Sequence, residues 1–160
     1  MKAIRCETYG PPSSLVFKEV ASLKPKAKEV LVSVKACGLN FPDTLIIQGL
    51  YQLKPELPFT PGSDVAGVVK EIGAGVSHLK VGQEVFGFVP YGALAEEVVV
   101  PANACFPKPT QMDFPTAASF LMAYGTSYHA LKDRGKLMEG ETLLVLGASG
   151  GVGLAAVELG

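Results

Sequence analysis

Two short segments hold the residues whose types and spacing could do chemistry. The first is Ala148-Ser149-Gly150-Gly151-Val152-Gly153, a G-x-G-x-x-G pattern with Ala in first place. It directly follows the apolar run 142–146 and directly precedes the helix-forming Leu154-Ala-Ala-Val-Glu-Leu159. In that setting Gly147 and Ala148 make a tight turn, Gly150 lets the backbone approach a pyrophosphate, and Gly153 allows close packing. The unpaired N–H groups and positive pole of the helix start then face phosphate. The same residues also suit a Gly-rich turn with no ligand. The position that separates NAD from NADP lies about 20 residues past such a loop, beyond Gly160.

The second segment is Asn40-Phe-Pro-Asp43. Asn before a helix with an acidic residue three positions on is a capping box. The pair can equally line a cleft, where an amide hydrogen-bonds a carbonyl or a ribose, and both roles can coexist. Tyr51 and Thr126 are further polar candidates, each of which also reads as a half-buried structural residue. His78 and His129 have no metal-site neighbours, and Cys6, Cys37 and Cys105 are far apart with no C-x-x-C or H-x-x-x-H spacing, so no zinc site is visible. The charged runs 24–29 and 132–134 read as solvated faces.

These residues must be positioned by two kinds of element. Up to about residue 110 the apolar residues fall in runs of four to eight broken by Gly and Pro, a strand rhythm. It predicts strands over 2–6, 15–20, 29–36, 64–72, 84–89 and 93–100, with one short helix over 41–48. Short strands at this spacing suggest a partly closed barrel. Beyond Pro109 the spacing predicts two helices broken near Gly125, then a strand over 142–146, the glycine loop and a helix. A fully apolar strand belongs in a parallel sheet covered on both faces, which one βα unit cannot supply. The sequence therefore predicts a chain that stops inside a larger α/β domain.

Composition bounds the rest. The 160 residues suit one well-buried domain, and a formal charge of −1 with 18% charged residues gives no electrostatic attraction to nucleic acid. Gly 18 and Pro 12 make up 19% of the chain, against about 12% on average, which favours many turns. Three widely spaced cysteines and no secretory leader point to a reducing cytoplasmic compartment. The uncharged stretch 114–131 is about long enough to span a bilayer, but its Pro, Ser, Thr and His content reads as a buried helix, so no membrane partner is expected.

The segments 35–43, 57–69, 81–87, 91–96, 126–131 and 140–153, in this order, resemble the zinc-free quinone oxidoreductase branch (NADPH:quinone reductase, zeta-crystallin-like) of the medium-chain dehydrogenase/reductase superfamily. The resemblance covers essentially the whole chain. It implies a mainly β, GroES-like, partly open barrel with the substrate cleft over 1–112. Linking helices and the first βα unit of an incomplete NADP-binding Rossmann domain would follow over 113–160. Zinc-using relatives carry Cys where this chain has Asn40 and His where it has Ser63, and have a four-cysteine lobe that is absent here. By the resemblance, Asn40 touches cofactor and substrate carbonyl, with Asp43 beside it as the other catalytic residue. Tyr51 is on the substrate side. Thr126 contacts the nicotinamide, and Ala148, Ser149, Gly150, Gly151, Val152 and Gly153 hold the pyrophosphate. Leu45 replaces a tyrosine that holds the cofactor in some members.

The implied activity is hydride transfer from NADPH, preferred over NAD by resemblance alone, to a small-molecule quinone or α,β-unsaturated carbonyl, without zinc. The full-length parent would be a cytoplasmic homodimer, and the 160 residues alone would be inactive. The alternatives are a non-catalytic GroES-like barrel fragment and a zinc alcohol dehydrogenase.

Overall fold

The computed structural model describes all 160 residues. The chain forms two compact units, Met1–Ser119 and Phe120–Gly160.

In the first unit, β1 (Lys2–Arg5) and β2 (Val16–Glu19) form an antiparallel ribbon. A five-stranded antiparallel sheet follows in the order β6-β3-β4-β5-β7. Its strands are β3 (Glu29–Gly38), β4 (Asp64–Ile72), β5 (Glu84–Phe88), β6 (Glu97–Pro101) and β7 (Cys105–Pro107). Single bridges, Ala3 to Ala95 and Cys6 to Phe59, join the ribbon to the rest. The valine-rich runs bury one continuous cluster that includes Val30, Val32, Val65, Val69, Val85, Val98 and Val100, as β-branched residues on a pleated surface should. The sheets close on each other only through the single bridges, so the barrel that the strand spacing suggested is only partly closed.

Two glycines permit close approaches in this sheet. A Cβ on Gly67 would lie 2.1 Å from the Ser33 carbonyl oxygen, next to the register shift in β3 between Val34 and Ala36. A Cβ on Gly38 would lie 2.1 Å from the Ala118 carbonyl oxygen, so the end of β3 can press against α2 (Phe114–Ala118) only because it lacks a side chain there. Asp113 caps α2, accepting from the Thr116 N–H at 2.8 Å, and Ala117 and Ala118 bury against Ala66. The approach to α2 is fixed by Lys108. Its ammonium pairs with Glu84 at 2.9 Å, donates to the carbonyls of Met112 at 2.5 Å and Pro109 at 3.2 Å, and lies 5.2 Å from the centre of the Phe114 ring.

The structure corrects three expectations. The strand expected from residue 93 starts at Glu97, because the N–H groups of Ala93 and Leu94 go to Gly62 and Pro61 and that of Glu96 to Lys2. The helical break expected near Gly125 falls at Ser119 (φ −104°, ψ 3°), whose hydroxyl donates back to the Thr116 carbonyl, while Gly125 keeps ordinary helical angles. Residues 142–146 join no β-ladder, and Leu144 and Leu146 are 81% and 87% exposed. A strand exists through its hydrogen-bonded neighbours, and this segment has none within the chain.

The second unit is a continuous helical stretch over 121–134 and the helix α4 (Gly151–Leu159). The stretch is wound as π-helix at Leu121–Gly125 and His129–Arg134 around the α-helical turn α3 (Thr126–Tyr128). The buried Ser127 hydroxyl donates to the Val152 carbonyl at 2.6 Å, and Tyr124 hydrogen-bonds Glu158, so the stretch is tied to both ends of α4. No helix is long and apolar enough to cross a membrane.

Candidate functional site

In the first unit the chain leaves β3 at Gly38 and enters the short helix α1 (Phe41–Ile46), with Asn40 as its N-cap and Pro42 in its first turn. An extended residue before a proline-led helix start is the expected entry. The Asn40 backbone N–H donates to Asp43 Oδ2 at 2.7 Å, and the Asp43 N–H returns to the Asn40 carbonyl oxygen at 3.0 Å. Both roles foreseen for this pair, cap and cleft wall, are compatible, because a helix start can use only the oxygen end of the Asn40 carboxamide and leaves its NH2 for other partners.

That NH2 is held from another direction. Asn40 Nδ2 donates to Asp64 Oδ2 at 3.2 Å. Asp64 opens β4, is 1% exposed, and its backbone is paired with Gly38 on one side and Phe88 on the other. An acidic side chain at the head of the apolar run Val65–Val69 is the kind of buried polar group that signals a special role. Sequence reasoning missed it; an acidic residue opening an otherwise apolar run is the one signal the sequence offers.

Burial pushes the Asp43 carboxyl up from its ordinary value, against the opposing effect of hydrogen bonds from the Asn40 and Gly62 backbones and the Ser63 side chain. Cys37 lies in the same group. Burial first, then the charges of Asp43 and Asp64, push its thiol up to about 12. A thiol so placed is no nucleophile at neutral pH. No three His, Cys, Asp or Glu side chains converge in a way that could hold a metal ion.

Leu39 and Phe41, on either side of Asn40, are 72% and 73% exposed. The Asn40 Nδ2 carries a second N–H that Asp64 does not engage. Tyr51 packs against the buried cluster of Cys6, Ile46, Ile47 and Phe59. A separate cleft of about 600 Å³, lined by residues including Arg5, Phe59, Thr60 and Tyr91, includes none of the expected site residues.

In the second unit Gly147 has φ +75°, and Gly150 caps α4 without any side-chain cap. A Cβ on Gly153 would lie 2.2 Å from the Gly147 carbonyl oxygen, whereas one on Gly150 would meet nothing nearer than 3.5 Å. Gly153 is thus required for the loop to fold back on its own helix, and Gly150 leaves the helix start open. Uncapped N–H groups at the end of a nine-residue helix, with no side chain over them, fit a phosphate group. Thr126 is exposed, its hydroxyl 4.0 Å from Met122 Sδ. Its neighbour Ser127, which sequence reasoning missed, is the residue that links this stretch to the first turn of α4.

Residues 26–110 match the family described as the alcohol dehydrogenase GroES-like domain. Rat (Rattus norvegicus) quinone oxidoreductase is 42% identical over 161 residues, covering 99% of this chain and 49% of that protein. The human synaptic vesicle membrane protein VAT-1 homolog-like structure superposes with a TM-score of 0.96 at 36% identity, covering 99% of this chain and 52% of that one. The quinone oxidoreductase of Thermus thermophilus, solved also as a complex with NADPH, gives a TM-score of 0.86 at 36% identity, covering 99% and 49%. The chain spans about half the length of the curated relatives it matches.

Proposed function

Because the chain belongs to the alcohol dehydrogenase GroES-like family, we propose that it carries the substrate wall and phosphate loop of a zinc-independent, NADPH-dependent reductase of quinones or α,β-unsaturated carbonyls. The observation that carries this reading is the Asn40 carboxamide, anchored to the buried Asp64 in a loop where the flanking Leu39 and Phe41 are exposed. A flat apolar molecule with a carbonyl oxygen needs that combination of apolar surface and a few fixed polar groups.

Reduced nicotinamide, when bound, supplies the hydride. The chain's own residues do the positioning. Asn40 orients the ligand with its remaining Nδ2–H. Asp43 fixes the loop that presents Asn40 by accepting its backbone N–H. Tyr51 shapes the substrate side from the cluster it packs on. Thr126 and the residues Ala148 to Gly153 hold the cofactor, the latter through the backbone at the start of α4. A quinone needs little activation, which suits a site where the strongest donor is an amide. The 160 residues alone turn over little or no substrate in this reading, because they span about half of the related enzymes.

The test is NADPH fluorescence titration and quinone-dependent NADPH oxidation, on this chain and on any longer product of the same reading frame. Binding and oxidation by the longer product support the proposal. If no product binds NADPH, the chain is a GroES-like module without this activity.

A further inference from the structure

The two groups that hold Asn40 differ in kind. Asp43 belongs to the same short helix and grips the Asn40 backbone. Asp64 comes from the sheet, is almost completely buried, and grips the side chain. Its place is fixed by ladder pairing on both sides, to Gly38 and to Phe88, and a Cβ on Gly38 would lie only 3.2 Å from Asp64 Cβ. The carboxylate therefore stands on a rigid, tightly enclosed backbone, while Asn40 stands on a loop.

A carboxamide has two ends that nearly coincide in shape and differ in hydrogen bonding: the oxygen only accepts and the nitrogen only donates. The Asp64 Oδ2 accepts from the Asn40 Nδ2 at 3.2 Å. Facing Asp64, Asn40 is therefore driven to turn its NH2 inward, and this choice decides which atoms are left for a ligand. We propose that Asp64 is a positioning residue for Asn40: its carboxylate sets the direction of the Asn40 carboxamide, so that the second Nδ2–H stands at one fixed place at the site. This rests on the proposed reductase reading only for the identity of the ligand. A precisely held polar group needs a supporting partner on a rigid element, and Asp64 meets that requirement.

A merely structural role for Asp64 is the competing account, in which the Asn40 amide only satisfies a buried acceptor. The two are separated by isotope-edited NMR of side-chain amides on the 160-residue chain together with NADPH titration of the longer product of the same reading frame. The protein has one other asparagine, Asn103, which serves as an internal reference. In the wild type, the Asn40 side-chain amide is expected to exchange with solvent at least tenfold more slowly than that of Asn103. Asp64→Asn, which keeps the shape and puts an NH2 in place of one carboxyl oxygen, is expected to shift the Asn40 side-chain resonances and leave those of Asn103 in place.

In the binding measurement, Asp64→Asn and Asn40→Ala should each weaken NADPH about tenfold or more. The double variant should be no weaker than Asn40→Ala alone, since a residue that acts through another has no effect once the other is gone. Additive losses in the double variant, or Asn40 resonances that do not move in Asp64→Asn, overturn the proposal. If Asp64→Asn does not fold, two outcomes on the wild type and Asn40→Ala overturn the proposal: equal exchange rates for the Asn40 and Asn103 side-chain amides, or an NADPH affinity of Asn40→Ala within twofold of the wild type. If the wild type binds no NADPH, the reductase reading falls separately, and the Asn40 resonances alone decide whether Asp64 sets the amide.

Discussion

The backbone N–H of Asn40 ends on the carboxylate of Asp43 at 2.7 Å, while the thiol of Cys37 is enclosed nearby and feels the charge of that same carboxylate. One buried acid thus closes the first turn of α1 and suppresses ionisation of a cysteine. Replacing Asp43 by Ala should remove the acceptor for Asn40 and for the donors from Gly62 and Ser63. The expected loss is about 1–3 kcal/mol of stability, read as a lower urea midpoint, with ligand binding weakened more than twofold.

Cys37 and Cys105 are pushed up to about 12 from 9.0, in both cases chiefly by burial, and Cys6 is raised by burial as well. A thiol reagent at pH 8 should therefore label no cysteine rapidly in the native protein and all three after denaturation. The linkage has a definite sign. A raised native pKa means the folded state holds its proton where the unfolded state has lost it. The associated stability is complete below pH 9 and falls as pH rises from 9 toward 12. Urea midpoints at about pH 7, 9 and 10.5 should decline across that window, and Cys37→Ala should make the decline shallower.

Gly38→Ala places a methyl group 2.1 Å from the Ala118 carbonyl oxygen. Neither backbone can give way easily, so the cost should be about 1–3 kcal/mol or more, whereas Gly82→Ala, with nothing within 4 Å but a φ of +82°, should cost about 1 kcal/mol from backbone strain alone. Thermal unfolding of the two variants checks the order.

Lys108→Met keeps the length of the side chain and removes three hydrogen-bond or ion-pair contacts, to Glu84, Pro109 and Met112. The Met112 and Pro109 carbonyls lose their donor, at about 1–3 kcal/mol in total. Amide exchange should rise first over residues 109–118, the segment that Lys108 ties to β5.

Gly153→Val should drive the loop away from Gly147, whose oxygen lies 2.2 Å from the new Cβ. The expected result is a tenfold or greater loss of NADPH affinity with the melting of the first unit unchanged. Equal loss of both would show that the variant acts through the whole fold rather than the loop.

Much of this fold was legible because its signals are local. The bounds of β4 follow from the Gly-Ser before Asp64 and the Gly after Ile72, and α1 from Asn40, Pro42 and Asp43. What could not be read depended on partners distant in sequence. Residues 142–146 have the composition of a strand and no neighbour within the chain, so composition alone misleads. The late start of β6 reflects N–H groups drawn to Pro61, Gly62 and Lys2. At the site, the Asn40–Asp43 pair is visible in four consecutive residues, but Asp64 is 24 positions from Asn40, and only the antiparallel pairing of β3 with β4 brings them together. Ser127 was hidden for a similar reason, since a buried serine in a helical period has no signature until its carbonyl partner is known.

The ribbon formed by β1 and β2 has a further effect. On its outer side β2 meets no other strand, all four of its residues are exposed, and Phe17 projects among them at 66% exposure. Bare strand margins invite other chains to add on, and charge is the usual deterrent. Here the deterrent is Lys18, paired with Glu7 at 3.1 Å, and Glu19 next to it. Colloidal behaviour is thus governed far from the chemistry: neutralising those two charges should favour self-association and leave the loop around Asn40 untouched.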